Sequence, residues 1–429
     1  MRVSVIGTGY LGAVHAAGMA ELGFEVIGVD VDADRIATLG EGSVPFYEPD
    51  LEPLLRKHVE SGRLRFTTAV AAVAGADVHF LCVGTPQLPD GPGADLSHVD
   101  SAVESLRRHV RPGSLVVGKS TVPVGTAARV AERFAEYGVG LAWNPEFLRE
   151  GHAVSDTLRP DRLVFGVRDA AAEAVLREVY ADAIAGDTPV VVTDLATAEL
   201  VKTSANAFLA TKLSFVNAIA EVCEATGADV TTLADALGHD VRIGRQFLGA
   251  GLGFGGGCLP KDVRAFRARA AELGIDLALL AEVDAINLRR RDRVVELATE
   301  LLGGDVHGRR VAALGAAFKP NSDDVRDSPA LEVASRLAAA GARVRVHDPV
   351  ATEAARRVAP QLEYVDSAFA ACAGSEVVLH LTEWPDYRAI DPVALGEVVT
   401  GHHVVDARNC LDRDRWRRAG WTYTGLGVS

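Results

Sequence analysis

One cysteine lies in a glycine-rich segment whose composition suggests chemistry. Cys258 belongs to the sequence GFGGGCLPKD, residues 253–262, and Lys261 and Asp262 follow it closely. A thiol with charged neighbours has the surroundings typical of a nucleophilic cysteine. Glycines let another group approach the backbone, so we expect these glycines to make room for a substrate. We interpret Cys258 as a covalent nucleophile; a buried cysteine that only packs is the alternative.

The chain opens with a dinucleotide fingerprint. The sequence GTGYLG, residues 7–12, follows an apolar strand and opens a helix, and a second strand ends at Asp30. Amides at a helix start bind a pyrophosphate, and an acid at this position bonds the ribose hydroxyls and repels the 2′-phosphate of NADP. We therefore predict NAD as the cofactor, although Arg35 would suit a phosphate. The predicted residues of this turn are Gly7, Gly9, Tyr10, Leu11, Gly12, Asp30 and Arg35.

Two further turns follow apolar strands, where ligands of open α/β sheets bind. They have the sequences VGTP, residues 83–86, and STVPVG, residues 120–125. Ordinary turns are the alternative interpretation. The predicted cofactor residues here are Val83, Gly84, Thr85, Pro86, Ser120 and Thr121.

Charged side chains recur at three more places. The segment NPEFLREG, residues 144–151, carries two carboxylates and a guanidinium, and a surface loop would also explain it. Lys202 and Asn206 lie four residues apart, which places them on one side of a helix among apolar neighbours. A lysine that faces inward needs a partner or a function. Lys319 and Arg326 follow a strand that lacks the glycine fingerprint, which argues against a second dinucleotide there.

The alternation of short apolar runs with helical patterns predicts parallel strands with crossover helices. The stretch from Asp194 to Gly227 has a continuous helical pattern with no Pro or Gly inside it, can be capped by Asp194 and is roughly 50 Å long. Such a helix suits a connector. We predict an α/β fold with two Rossmann-like parallel-sheet domains, joined by a long central helix and a helical dimerisation region. The predicted domains are 1–195, 196–303 and 304–429. Strands are predicted at 3–6, 26–29, 78–83, 115–117, 163–167, 190–192, 310–314, 343–347, 377–381 and 404–406, and a second long helix at 276–302.

Composition excludes some classes of protein. The 429 residues are 48% hydrophobic and carry a net charge of −14, which disfavours nucleic acid and anionic membranes as partners. Five scattered cysteines give no disulfide framework and no metal site, so we expect a reducing cytoplasm. We expect no signal peptide and no membrane helix, since a strand begins at Arg2 and no apolar run is long enough.

Motifs along the whole chain together resemble the UDP-glucose/GDP-mannose dehydrogenase family. They are GTGYLG, CVGTP, STVPVG, NPEFLREG, Lys202 with Asn206, Arg242-Ile243-Gly244, GFGGGCLPKD, AFKPNSDDVRDSP and Asp406-Ala407-Arg408-Asn409. The resemblance implies an NAD domain and a UDP-sugar domain that flank a helix at a dimer core. Residues 160–162 and 259–262 resemble the members that oxidise UDP-glucose. GDP-mannose enzymes share CLPKD and are the nearest alternative, with other nucleotide-sugar 6-dehydrogenases; residues 249–252 depart from the pattern.

The resemblance also implies a reaction and roles. C6 of UDP-glucose is oxidised to the carboxylate of UDP-glucuronate by two NAD and one water, through a thiohemiacetal and a thioester on Cys258. Lys202 and Asn206 stabilise oxyanions, Asp262 and Thr121 place water and move protons, Glu150 promotes thioester hydrolysis and Glu146 supports it. Glu150 and Arg326 also contact the cofactor, and Arg242 reaches across from the neighbouring subunit. The implied substrate residues are Glu146, Phe147, Leu148, Arg149, Glu150, Lys202, Asn206, Arg242, Phe247, Gly249, Gly251, Phe254, Gly255, Lys319 and Arg408.

Two functions from other classes are also compatible with a Rossmann fingerprint. A single-step NAD-dependent hydroxyacid dehydrogenase would have no use for Cys258, and a silent nucleotide-sugar sensor would need no chemistry. The number of NADH formed per UDP-glucose separates the three hypotheses, because two, one and none are expected.

Overall fold

The computed structural model describes residues 1–428, which form two compact units. Unit one comprises Met1–Ala205 and Ala265–Ile275. Unit two comprises Asn206–Arg264 and the chain from Asp276 onward. Each unit is built on one largely parallel β-sheet, as the sequence predicts.

The sheet of unit one has eight strands. They are β1 (Arg2–Ile6), β2 (Glu25–Val29), β3 (Leu64–Thr67), β4 (Val78–Leu81), β5 (Leu115–Gly118), β6 (Gly140–Trp143), β7 (Leu163–Val167) and β8 (Val190–Thr193). Their order is β3-β2-β1-β4-β5-β6-β7-β8. The central strands are buried on both faces, which is why their sequences are mostly apolar.

One strand pair of this sheet departs from the predicted parallel arrangement. β6 and β7 are antiparallel, whereas the other neighbours in the sheet are parallel. An antiparallel strand starts at the edge where its neighbour ends, so the connection does not have to cross the sheet. Residues 144–162 therefore begin and end at the carboxyl edge of β6, the edge where open α/β sheets bind ligands.

Helices cover both faces of this sheet. They are α1 (Tyr10–Glu21), α2 (Ala33–Gly40), α3 (Leu51–Glu60), α4 (Ser97–Leu106), α5 (Thr126–Phe134), α6 (Ala153–Leu158), α7 (Ala170–Val179) and α8 (Ala181–Ala185), with 3₁₀ turns at Val70–Val73 and Ala135–Tyr137. α1 is buried along most of its length because its inner positions are small residues, among them Ala13, Ala16 and Ala17. A Cβ on Gly12 would overlap the carbonyl oxygen of Gly7, so α1 can start this close to β1 only with glycine there.

The long helix is present where the sequence predicts it. α9 (Leu195–Thr226) has 32 residues, about 48 Å, and the Asp194 carboxylate accepts the N–H of Thr197 at 2.8 Å. Three more helices follow it: α10 (Val230–Gly238), α11 (Leu259–Glu272) and α12 (Ala278–Leu301). α9 and α11 each contain residues of both units.

The sheet of unit two has six parallel strands in the order β11-β10-β9-β12-β13-β14. They are β9 (Arg310–Leu314), β10 (Arg343–His347), β11 (Glu363–Tyr364), β12 (Val377–His380), β13 (His403–Asp406) and β14 (Thr422–Gly425). The helices around it are α13 (Pro329–Ala339), α14 (Thr352–Val358), α15 (Ala368–Cys372), α16 (Pro385–Ala389), α17 (Pro392–Gly396) and α18 (Arg413–Arg418). Within residues 1–428, no helix combines the length and apolar character required to cross a bilayer.

Candidate active site

The dinucleotide turn of unit one fits the predicted cofactor. Asp30 accepts the N–H of Thr8 at 2.7 Å and pairs with Arg35 at 3.0 Å. Burial raises the pKa of Asp30, but the amides of Thr8 and Asp32 and the Arg35 guanidinium outweigh burial and hold it below its usual value. The ionised carboxylate disfavours a 2′-phosphate. Arg35 is already paired with both Asp30 and Asp32, so its charge is largely neutralised, which also favours NAD.

The structure brings the two other predicted turns together. β4 and β5 are parallel neighbours, so both turns lie at the same edge of the sheet. Ser120 donates to the carbonyl of Val83 at 2.7 Å, and the Thr85 hydroxyl donates to the carbonyl of Thr121 at 2.7 Å. These bonds fix the backbone at Thr121, which is half-buried.

A buried carboxylate that the sequence analysis missed holds the far side of the Thr121 turn. Glu199 on α9 is 2% exposed and accepts the amides of Gly125 at 2.8 Å and Ala127 at 2.6 Å. Burial raises the pKa of Glu199 to about 7, although the hydrogen bonds from these amides act to lower it. Arg269, in the last turn of α11, donates to the carbonyl of Val124 at 3.0 Å. One sequence signal could have identified Glu199 as a buried residue: it is a carboxylate three residues before Lys202, among apolar neighbours.

The segment that follows β6 surrounds the buried lysine. Lys202 is 6% exposed, and its Nζ lies 3.0 Å from Oε1 of Glu146. The other oxygen of Glu146 accepts the N–H of Leu148 at 2.6 Å, and the Arg162 guanidinium covers the Phe147 ring at 3.7 Å. The inward-facing lysine therefore has the partner that its burial requires.

Arg149, the guanidinium of this segment, is committed to another partner in this structure. Its Nη2 lies 2.6 Å from Asp156, and its backbone N–H donates to the same carboxylate at 2.9 Å. The family resemblance implies that Arg149 holds the nucleotide sugar, and that role stays a prediction. Beneath the segment, the buried Lys119 donates to Oδ1 of Asn144 at 3.0 Å, and the Tyr180 hydroxyl donates to the same oxygen at 2.6 Å.

Unit two presents the proposed nucleophile. Cys258 is exposed, and its carbonyl accepts the N–H of Asp262 at 3.0 Å, so the thiol stands at the start of α11. A helix start favours negative charge and therefore a thiolate. Burial raises the pKa of each of the four other thiols, to about 12 for Cys82, Cys372 and Cys410.

The packing of the protein around the glycines before Cys258 also requires residues without a side chain. A Cβ on Gly253 would collide with Asn287, one on Gly255 with the Asp327 carbonyl, and one on Gly257 with the Arg326 guanidinium. At Gly256 the obstacle is the Phe318 ring at 2.7 Å, and at Gly251 it is the Ala407 carbonyl at 2.7 Å. The protein itself therefore fills this space, and the predicted close approach of a substrate to these glycines is not needed to explain them. Gly249 faces no atom within 4 Å.

Asp262 lies one helical turn after Cys258. It is 3% exposed and accepts Nδ2 of Asn206 at 2.6 Å and Nζ of Lys261 at 2.5 Å. Asn206 is on α9, one turn beyond Lys202, as the four-residue spacing predicts. These two donors fix the direction of the Asp262 carboxylate.

The remaining predicted residues of unit two are largely bonded to their own chain. Arg408 donates to the carbonyls of Leu381 at 2.7 Å, Gly253 at 2.9 Å and Phe318 at 3.2 Å, so it braces the cysteine loop against the sheet. Arg326 pairs with Asp324 and Arg242 with Asp240; the Arg242 side chain is 86% exposed. The Lys319 ammonium lies 5.3 Å from the Phe318 ring, Phe254 is buried, and Phe247 is 38% exposed. Their predicted contacts with the nucleotide sugar and cofactor stay predictions.

His380, Asp406 and Cys410 form a cluster of metal-ligand types in unit two. The Asp406 carboxylate already accepts the amides of Cys410 at 2.8 Å and Leu411 at 2.7 Å, together with the His380 ring at 2.8 Å. The Tyr423 hydroxyl adds a further donor at 2.9 Å. These bonds account for the carboxylate as a brace of the loop after β13.

Comparison with known proteins identifies the family. Three models of the UDP-glucose/GDP-mannose dehydrogenase family match the chain in order: its NAD binding domain over residues 1–184, its central domain over 196–289 and its UDP binding domain over 312–413. UDP-glucose 6-dehydrogenase YwqF of Bacillus subtilis is 41% identical over 434 residues, which cover 100% of this chain and 98% of that protein.

Two solved structures extend the comparison. A UDP-glucose dehydrogenase from Pyrobaculum islandicum is 42% identical and superimposes with a TM-score of 0.92, covering 100% of this chain and 98% of that one. A GDP-mannose dehydrogenase from Pseudomonas aeruginosa is 30% identical with a TM-score of 0.54, covering 99% of this chain and 100% of that one. The fingerprint turn, the glycine-rich loop before Cys258 and these matches agree: the chain belongs to the UDP-glucose/GDP-mannose dehydrogenase family and is an NAD-dependent dehydrogenase.

Proposed function

We propose that this enzyme oxidises UDP-glucose twice at C6 and releases UDP-glucuronate, with Cys258 as a covalent nucleophile. The observation that carries the proposal is the exposed Cys258 thiol at the start of α11, one turn before the Asp262–Asn206 pair. A dehydrogenase that performs one oxidation has no use for this thiol. The relatives with 41% and 42% identity carry UDP-glucose in their names, which favours the same substrate here.

The covalent steps balance as follows. When bound at the Asp30 turn, NAD would accept one hydride in each of two oxidations, and each oxidation also releases one proton. The first oxidation turns the C6 alcohol into an aldehyde, and the Cys258 sulfur then bonds to C6 while the aldehyde oxygen gains a proton, giving a thiohemiacetal. The second oxidation leaves a thioester. Water adds to its carbonyl, the carbon–sulfur bond breaks, and the products are the carboxylate, the thiol and a proton.

The surrounding side chains have the donors that these steps require. An ammonium has three N–H groups and a primary amide has two, so Lys202 and Asn206 can keep Glu146 and Asp262 and still donate to an oxyanion at C6. We assign proton transfer and water placement to Asp262 and Thr121, and thioester hydrolysis to Glu150. Glu146 holds Lys202 in place. The cytoplasmic location expected from the cysteines stays a prediction.

The proposed function is tested by the stoichiometry of the complete reaction. Limiting UDP-glucose is converted with excess NAD, and NADH is counted by absorbance. We expect two NADH per UDP-glucose and UDP-glucuronate as the product. One NADH would indicate single-step oxidation, none would indicate a sensor, and turnover of GDP-mannose in place of UDP-glucose would establish the nearest alternative.

We also propose that two copies of the chain pair through α9. Phe208, Phe215 and Val222 are spaced by seven residues, so they share one side of the helix, and they are 66%, 50% and 56% exposed. Leu279, at the start of α12, is 65% exposed. Exposed apolar residues in a stripe mark an interaction surface.

Charged substitution of this stripe is expected to separate the copies. For the double variant Phe208→Asp and Phe215→Asp, light scattering should give the mass of one chain, 45.2 kDa, because two carboxylates per helix would have to be buried. The unmodified protein should give about twice that mass. Val358→Asp, at an apolar residue of α14 that is 65% exposed, is the matched control and should not change the mass. An unmodified protein of 45.2 kDa at micromolar concentration contradicts the proposed dimer.

A further inference from the structure

Glu48 is a buried carboxylate to which the proposed reaction assigns no role. It lies between α2 and α3, in the sequence Phe46-Tyr47-Glu48-Pro49-Asp50, and is 5% exposed. Its two oxygens accept bonds from residues more than a hundred positions away: Oε2 from the N–H of Gly151 at 2.6 Å and Oε1 from the N–H of Ala153 at 2.7 Å. The Tyr10 hydroxyl donates to Oε2 as well. A buried carboxylate that accepts three hydrogen bonds anchors the groups that donate to it.

The anchored backbone is the segment directly after Glu150. Gly151 has a φ of +80°, a conformation that favours glycine, so the chain turns sharply there. His152 supplies no side-chain cap to α6, and Glu48 provides acceptors for the amides on either side of it instead. On the other side of Glu150, the Arg149 amide donates to Asp156 at 2.9 Å. Glu150 therefore stands between two fixed peptide groups.

Tyr10 connects this anchor to the cofactor turn. It is the first residue of α1, directly after Gly7-Thr8-Gly9, and its ring packs on Phe46 at 5.0 Å between centroids. Burial, the bond to Glu48 and the charges of Glu48 and Glu150 all raise the pKa of Tyr10. The phenol therefore remains protonated at neutral pH and acts as a hydrogen-bond donor to Glu48.

We propose that Glu48 is a positioning residue: by holding the amides of Gly151 and Ala153 against the Tyr10 hydroxyl, it orients Glu150 for thioester hydrolysis. The proposal rests on the proposed function. In the step concerned, Glu150 accepts a proton from the water that adds to the thioester carbonyl. The carbon–sulfur bond then breaks, and the Cys258 sulfur leaves as a thiolate that takes up that proton.

Both oxygens of Glu48 are required for this role. Glutamine has the same shape but only one acceptor oxygen, and its NH₂ group would face an amide N–H of the segment. Since a buried amide without an acceptor is unfavourable, the turn at Gly151 should shift and Glu150 with it. Substrate and cofactor binding should change little, because Glu48 would touch neither.

The test uses the full-length variants Glu48→Gln, Tyr10→Phe and Glu150→Gln, together with Asp169→Asn. Asp169 caps α7 by accepting the N–H of Ala172 at 2.9 Å, so its variant is a matched control for the loss of a structural carboxylate. Rapid-mixing kinetics should show that Glu48→Gln forms two NADH per chain in a fast burst and then turns over roughly tenfold or more slowly. Intact-mass spectrometry should detect the thioester on Cys258. Asp169→Asn should show neither the burst nor the adduct.

A double-mutant cycle of Glu48→Gln and Glu150→Gln distinguishes an effect of Glu48 on the position of Glu150 from a general loss of protein stability. If Glu48 acts through Glu150, adding Glu48→Gln to Glu150→Gln should slow hydrolysis by less than about threefold further. KM for UDP-glucose and for NAD should stay within about threefold of the unmodified values. Full additivity of the two substitutions, or turnover of Glu48→Gln at the unmodified rate, overturns the proposal.

Three further outcomes distinguish failure of the positioning role from failure of the proposed function. Should Glu48→Gln fail to fold, Tyr10→Phe decides: an adduct on Cys258 supports the proposal, and unmodified kinetics overturn it. If the unmodified enzyme forms no NADH from UDP-glucose, the proposed function fails. If it forms two NADH and Glu150→Gln traps the adduct while Glu48→Gln does not, only the positioning role fails.

Discussion

Replacement of Cys258 by serine is expected to lower the turnover of UDP-glucose by roughly a thousandfold or more, as loss of a nucleophile typically does. A serine hydroxyl is un-ionised at neutral pH, and an oxygen ester hydrolyses more slowly than a thioester. The measurement is the rate and the number of NADH formed per UDP-glucose, with mass spectrometry to detect a trapped ester.

The control for this experiment is a cysteine of a different kind. Cys372→Ala removes a thiol that is fully buried in unit two and whose pKa burial raises to about 12, so it should retain two NADH per UDP-glucose. Unmodified turnover of Cys258→Ser with two NADH per substrate would rule out the covalent mechanism.

Lys202→Met is expected to lower kcat by about 100- to 1000-fold, the usual consequence of removing one donor to a developing oxyanion. Methionine preserves the unbranched apolar stem of this buried side chain and removes only the ammonium. Steady-state kinetics with UDP-glucose and NAD would measure the loss, which should appear in kcat more than in KM.

Lys57→Met is the comparison for Lys202→Met, because Lys57 is 60% exposed and pairs with Glu21 at 2.7 Å on the surface. It should leave kcat unchanged. A Lys202→Met enzyme with normal kcat and raised KM would show that Lys202 only binds substrate.

The sequence predicts the fold wherever apolar runs are long enough. α9 was expected within one residue at each end, and six strands of unit one were expected close to their observed positions. β3, β6, β11 and β14 were missed because their sequences, Leu-Arg-Phe-Thr, Gly-Leu-Ala-Trp, Glu-Tyr and Thr-Tyr-Thr-Gly, hold no valine or isoleucine, the β-branched aliphatic residues that indicate strands. Their pairing is decided by neighbours distant in sequence, as is the reversed direction of β7.

The candidate site shows the same difference between features that local sequence patterns reveal and features that depend on residues distant in sequence. Fingerprint turns and the cysteine loop are local patterns, and a single sequence reveals them. Glu48 and Glu199 accept hydrogen bonds from amides at least 103 and 72 residues away, so their roles depend on contacts that only the folded chain provides. Likewise, the glycines before Cys258 are explained by Asn287, Asp327 and Phe318, which only the folded chain brings beside them.

The division of unit one into Met1–Ala205 and Ala265–Ile275 has a consequence for synthesis on the ribosome. The turn at Thr121 is complete only when Arg269 donates to the Val124 carbonyl. Arg269 is synthesised after the part of unit two that contains Cys258. At typical translation rates the 70 residues between Ala205 and Ile275 take about 3 to 14 seconds to appear. A nascent unit one must therefore persist without residues 265–275 while the loop that contains Cys258 is being made, and neither unit can be completed as an independent N-terminal domain.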